Sequence, residues 1–148
     1  MSKHIWTLLL LAAAPAWAEG QGYTFFAPAT SNALHIGGGG EGLVYKGLGA
    51  GGEIGWMFPN RSFLGGVGLA SANASSHWNA RSHWKVSPFV TGGYAVAFRG
   101  GAVNLVNAGG GFHYWLRERT GLRVEYRAYS DVRDRHYLHE VRMGLALR

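Results

Sequence analysis

Cysteine is absent from the 148 residues, so a disulfide framework, a thiolate metal site and a thiol nucleophile all drop out of the reading. Charge is scarce as well, at 15% of residues, and no apolar run reaches the roughly 20 residues that a membrane-spanning helix needs. Proline occurs only four times, once in the amino-terminal apolar run at Pro15. The 24 glycines follow no strict three-residue period, which excludes a collagen-like chain. Disorder is equally disfavoured, because 47% of residues are hydrophobic and 14% aromatic. What is present is a glycine-rich folded chain of the size of one domain.

The formal charge is +6, but its basic residues are scattered rather than gathered in a run or on a helix face. That argues against a nucleic-acid partner and suits contact with anionic lipid headgroups.

At the amino terminus Lys3 and His4 precede an apolar run from Ile5 to Ala14, and Ala16-Trp17-Ala18 places small residues where signal peptidase requires them. Residues 1–18 are therefore expected to be a cleaved secretory signal, with residues 19–148 as one mature domain. If that domain spans a membrane, it must do so as a closed barrel, since it holds no helix-length apolar segment.

From Gly20 onward the pattern predicts strands and short turns: 22–27, 33–42, 47–58, 63–78, 83–98, 103–116, 121–130 and 136–147. Polar or glycine-rich connections such as Pro59-Asn60-Arg61-Ser62 and Arg99-Gly100-Gly101 separate them. In the last strand Val141, Met143, Leu145 and Leu147 share one face, and Glu140, Arg142, Gly144 and Ala146 the other. Its neighbour sets Leu122, Val124, Tyr126 and Ala128 against Arg123, Glu125 and Arg127. A soluble sandwich would alternate in the same way with its apolar face inward.

Glycine decides the direction. The charged face also carries Gly109 and Gly111, and Gly66 and Gly68 are assigned to it as well, so small residues accompany long charged ones as a narrow lumen requires. The opposite face holds Leu48, Ile54, Trp56 and Phe58, then Val90, Tyr94, Val96 and Phe98, then Phe112, Tyr114 and Leu116, with aromatics toward strand ends. The expectation is a small antiparallel transmembrane β-barrel of about eight strands with a packed polar lumen.

Charge then predicts a register. Setting Glu125 opposite Glu140 would put like charges face to face, whereas Arg127 opposite Glu140 and Glu125 opposite Arg142 pairs them. The same counting sets Gly111 opposite Glu125, Gly109 opposite Arg127, and Glu53 opposite Gly68. Glu53, Arg123, Glu125, Arg127, Glu140 and Arg142 are expected to form a structural ion network in the lumen, because an unpaired buried carboxylate is expensive.

The stretches Pro88-Phe89-Val90-Thr91-Gly92-Gly93-Tyr94, Gly109-Gly110-Gly111-Phe112-His113-Tyr114-Trp115 and Gly121-Leu122-Arg123-Val124-Glu125-Tyr126-Arg127 fall in consecutive predicted strands. Over roughly residues 33 to 148 the chain resembles the outer-membrane protein β-barrel domain family, the small OmpA- and OmpX-like barrels. The resemblance implies an eight-stranded barrel in the outer membrane, with lipid as its surroundings and the barrel-assembly machinery as a partner during biogenesis. Such barrels commonly end in an aromatic residue that the machinery recognises; this chain ends Gly144-Leu145-Ala146-Leu147-Arg148. A shared fold implies no shared activity.

Candidate chemistry is thin. Ser76-His77-Trp78 and Ser82-His83-Trp84 repeat, but neighbouring residues on a strand face opposite sides, so these histidines are read as interfacial rather than catalytic. His113, His136 and His139 are the remaining candidates for a general base in a lipid-modifying enzyme. His136 and Glu140 lie about 13 Å apart along one strand, too far to share a metal ion. Gly37 to Gly40 lacks the Lys-Ser/Thr of a phosphate loop and is read as a flexible or closely packed strand segment. The expected function is non-enzymatic, a structural or surface-interaction barrel with no cofactor or metal. The alternatives are a lipid-modifying enzyme and a soluble periplasmic barrel with an apolar ligand inside.

Overall fold

The computed structural model describes residues 19–61, 65–78, 84–133 and 136–148. The expected signal segment 1–18, and Ser82 and His83 of the second Ser-His-Trp, lie outside the described residues. Eight antiparallel strands run in chain order: β1 (Glu19–Ala29), β2 (Ala33–Tyr45), β3 (Leu48–Phe58), β4 (Val67–His77), β5 (Val86–Phe98), β6 (Ala102–Trp115), β7 (Thr120–Asp131) and β8 (Tyr137–Leu147). Each pairs with its neighbours, and β8 returns to β1, so the sheet closes on itself and leaves no edge strand.

Register fixes the shape of the barrel. Passing from partner to partner, Glu19 leads to Leu43, Gly49, Ser75, Thr91, Gly109, Arg127, Glu140 and back to β1 at Ala29. The circuit returns ten residues further along β1, from 19 to 29. A stagger of that size over eight strands tilts them by about 40° to the barrel axis. Strands of 11 to 14 residues at that tilt have the length of a bilayer-spanning barrel wall.

The turns follow their residues. Between β2 and β3 both turn residues take positive φ, Lys46 at 41° and Gly47 at 86°, the handedness a two-residue hairpin needs. Gly47 is required twice over, because a Cβ there would lie 2.3 Å from the His77 carbonyl oxygen. Ser31 and Asn32 take positive φ in the three-residue turn between β1 and β2. After β3 a 3₁₀ turn, Pro59–Arg61, opens a longer connection, and β4 begins at Val67 rather than at Phe63 as the pattern predicts.

Alternation runs in the direction expected of a membrane barrel. Leu122, Tyr126, Val141, Met143, Leu145 and Leu147 are exposed on the outer wall, while Arg123, Glu125, Arg127, Glu140 and Arg142 are buried inside. Tyr45, Trp78, Trp84 and Tyr114 ring the rim that carries the strand ends Glu19 and Leu147. Trp56, Phe98 and Tyr137 stand at the opposite rim.

Two face assignments need correction. Gly68 lies outside, opposite Trp56 and Phe98, where the Phe98 ring covers it, and Gly66 likewise lies beneath the Trp56 indole. Glu53 is therefore opposite Ser71, not Gly68. The long connection after β3 delays the start of β4, and counting from the sequence assigned the wrong parity to that strand. Phe58 keeps the outer-face register, opposite Leu34, yet it is buried where β3 passes into the 3₁₀ turn.

Candidate functional site

The lumen is blocked by side chains at mid-height, and its lining comes in three levels. At mid-height lies an ionic network whose register is the one that charge pairing predicts: Arg127 is opposite Glu140, and Glu125 opposite Arg142. Across β6, Gly109 and Gly111 face Arg127 and Glu125. A Cβ at Gly111 would sit 2.0 Å from the Val124 carbonyl oxygen, so this strand must be bare where β7 carries its longest side chains.

All six predicted lumen residues are brought together. Glu125 accepts from Arg123 Nε at 3.1 Å and from Arg127 Nε at 2.6 Å. Glu53 reaches across from β3, accepting from Arg127 Nη1 at 2.8 Å and from Arg142 at 2.9 and 3.0 Å. Arg142 also pairs with Glu140 and bonds the Tyr129 hydroxyl. The Tyr23 hydroxyl donates to Glu53 at 2.9 Å, and Gly39 keeps that approach open, since its Cβ would lie 2.9 Å from the same hydroxyl. Half of the Gly37 to Gly40 run is thus close packing, as read from the sequence, and its other half lies on the outer face.

The network is larger than the sequence showed. Glu41, on β2, accepts from Ser75 Oγ at 2.5 Å and from Arg123 Nη1 at 3.4 Å, and also bonds Gln21. His35 Nδ1 meets Glu140 at 2.9 Å, and His77 Nε2 meets Glu41 at 3.1 Å. Three guanidiniums (Arg123, Arg127, Arg142) thereby face four carboxylates (Glu41, Glu53, Glu125, Glu140), with His35 and His77 each against a carboxylate. Burial of so many charges is tolerable because every carboxylate is met from more than one side. One signal for Glu41 lay in the sequence: it falls on the same face of β2 as Gly37 and Gly39, alternating small and long as in β6.

Toward the rim of the strand ends the lumen becomes aromatic. His77, Phe89, His113 and Trp115 form a stack with ring centroids 4.9 to 5.7 Å apart. Arg123 lies over Phe89 at 4.2 Å and donates to His113 Nε2 at 3.2 Å, joining the stack to the network. His77 is accordingly not interfacial. It points inward and is 6% exposed, while its neighbour Trp78 points out.

Toward the opposite rim the lumen is apolar. Ala33, Met57, Leu69, Ala95 and Tyr129 pack together, with Val67, Ala97, Leu105 and Leu138 against them.

Ser75, His77 and Glu41 stand close enough to invite comparison with a hydrolytic triad, but the geometry is wrong for one. His77 uses the same nitrogen, Nε2, toward Ser75 Oγ at 3.1 Å and toward Glu41 at 3.1 Å, and Ser75 itself donates to Glu41. A base must take the nucleophile's proton on one nitrogen while the acid orients it through the other. The other candidate bases are scattered: His113 is in the aromatic stack, His136 is exposed beyond β7, and His139 bonds the Tyr126 hydroxyl at 2.6 Å on the outer wall. Among the described residues no group of three His, Asp or Glu side chains is placed to hold a metal ion.

No protein-family model matches the chain, and no curated protein matches its sequence. Solved structures do match. The amino-terminal β-barrel domain of Pseudomonas aeruginosa OprF superposes with a TM-score of 0.73 at 13% identity, covering 86% of this chain and 95% of that one. Neisserial surface protein A matches with a TM-score of 0.58 at 14% identity, covering 86% of this chain and 94% of that one. A de novo designed transmembrane β-barrel matches with a TM-score of 0.64 at 20% identity, covering 86% of this chain and 92% of that one. At these identities the shared property is the fold, and one of the three was designed to be a barrel. The chain has the fold of the small eight-stranded outer-membrane barrels of the OmpA- and OmpX-like kind.

Proposed function

We propose that the chain is a non-enzymatic barrel of the outer membrane, exported with residues 1–18 as signal, inserted by the barrel-assembly machinery and serving a structural or surface-interaction role. The observation that carries this reading is the direction of its polarity. The outer wall exposes Ile54, Val90, Tyr94, Phe112, Val141 and Met143, while Arg127 and Arg142 are at most 1% exposed within. Water would reverse that arrangement, since exposing apolar area costs about 25 cal/mol per Å². A bilayer is the solvent that matches it.

The filled mid-lumen argues for a role other than conduction, because an aqueous channel normally takes around 16 strands. The four connections at the rim opposite the strand ends, 30–32, 59–66, 99–101 and 132–136, span three, eight, three and five residues, too short to carry a large adhesive crown. Surface interaction, on this reading, belongs to the wall and the barrel mouth. Lipid-modifying activity is disfavoured by the scatter of His113, His136 and His139, and a soluble ligand carrier by the apolar outer wall.

Fractionation of expressing cells followed by unheated and boiled gel electrophoresis tests the proposal. The expected result is a band in the outer-membrane fraction whose mobility changes on boiling; a periplasmic band without that change overturns it.

A further inference from the structure

The apolar level of the lumen is not completely filled. A cavity of about 350 Å³ lies at the rim opposite the strand ends, walled by Met57, Val67, Leu69, Leu105 and Leu138. Tyr129 forms its floor, held by hydroxyl bonds to Glu140 and Arg142, so the cavity ends where the ionic network begins. Its volume is at the lower end of the range of small-molecule sites. Ser31, Asp131 and His136 supply the polar groups at its margin.

We propose that this mouth binds a small single-chain apolar molecule with an uncharged, hydrogen-bonding head, of the class of medium-chain alcohols. The walls decide the tail. A water molecule needs two to four polar partners, and an aliphatic wall supplies none, so an apolar guest displaces poorly held water. The margin decides the head. Asp131 opposes an anionic group, and a cationic head would lose its hydration against an aliphatic wall that offers it no partner. A hydroxyl can bond Ser31, Asp131 or His136 without either cost. The closed floor makes this a blind cup that holds one end of a chain and passes nothing through. Binding here requires the closed barrel and its mouth, whichever membrane holds them.

Methionine provides the reporter. The described residues hold two, Met57 in the cavity wall and Met143 on the outer wall, 47% exposed. The mature chain, labelled with ¹³C at its methionine methyls and inserted in phosphatidylcholine nanodiscs, is titrated with decan-1-ol and followed by NMR. The Met57 methyl is expected to shift and saturate, while Met143 drifts without saturating as the alcohol enters the bilayer. Leu105→Trp fills the cup and should abolish the saturable shift; Ala97→Leu, a smaller intrusion on the same cavity, serves if the tryptophan variant does not fold. A Met57 methyl that never saturates, or one that saturates equally in the filled variants, overturns the proposal.

Discussion

Arg127 on β7 and Glu53 on β3 stand four strands apart round the wall, yet their side chains meet across the lumen at 2.8 Å. Glu53 takes Arg142 of β8 as well, at 2.9 Å, so one carboxylate ties opposite sides of the barrel. Removing it leaves two guanidiniums short of a partner in a space closed to water.

Glu53→Gln is therefore expected to cost about 3 to 5 kcal/mol, the range for breaking a buried ion pair from one side. Urea unfolding in detergent micelles, read by tryptophan fluorescence, measures it. Because Arg142→Gln removes a partner of the same carboxylate, the double variant should lose clearly less than the sum of the two single changes. Additive losses would show that the cross-lumen pairing contributes nothing.

Two kinds of glycine should separate cleanly. Gly111→Ala drives a methyl into the β7 backbone at Val124 and should destabilise by about 1 to 3 kcal/mol. Gly52→Ala adds a methyl on the outer face with nothing nearer than the Ser71 carbonyl oxygen at 3.4 Å, and should stay within about 0.5 kcal/mol. The same unfolding measurement ranks the pair, and equal effects would contradict the face assignment.

Depth on the outer wall gives a third prediction. Val124→Arg, near the middle of β7, should cost about 2 to 4 kcal/mol in folding into lipid vesicles, and Leu147→Arg, at the end of β8, about 0 to 1 kcal/mol. Folding yields and equilibrium unfolding in vesicles read the difference. If Val124→Arg inserts as well as the parent chain, the outer wall does not face lipid.

Ser75 supplies the fourth. Its hydroxyl is committed to Glu41 rather than to an activated histidine, so a fluorophosphonate probe is expected to label the folded barrel no more than the Ser75→Ala variant. Labelling that disappears with Ser75→Ala would revive a hydrolytic role.

Alternation in β7 and β8 was strict enough that the faces of Arg123, Glu125, Arg127, Glu140 and Arg142 could be read before any coordinates, and like-charge repulsion then selected their register. That reasoning works because a hairpin is local: few residues separate the strands, and parity propagates across the turn. It failed at Gly66 and Gly68, where the longer connection after β3 let the parity of β4 change without a mark in the sequence.

By itself, the sequence determined a wall of about eight strands, the direction of their polarity and the pairing of the last hairpin, because period-two patterning and Coulomb repulsion between neighbours act along the chain or across one turn. Tertiary structure alone decided that Glu53 meets Arg127 and Arg142, that Glu41 and His77 join from β2 and β4, and that the filled lumen gives way to an apolar cup at one rim. Those contacts cross the barrel, so they depend on closure and on the ten-residue stagger of the wall, which no single strand records.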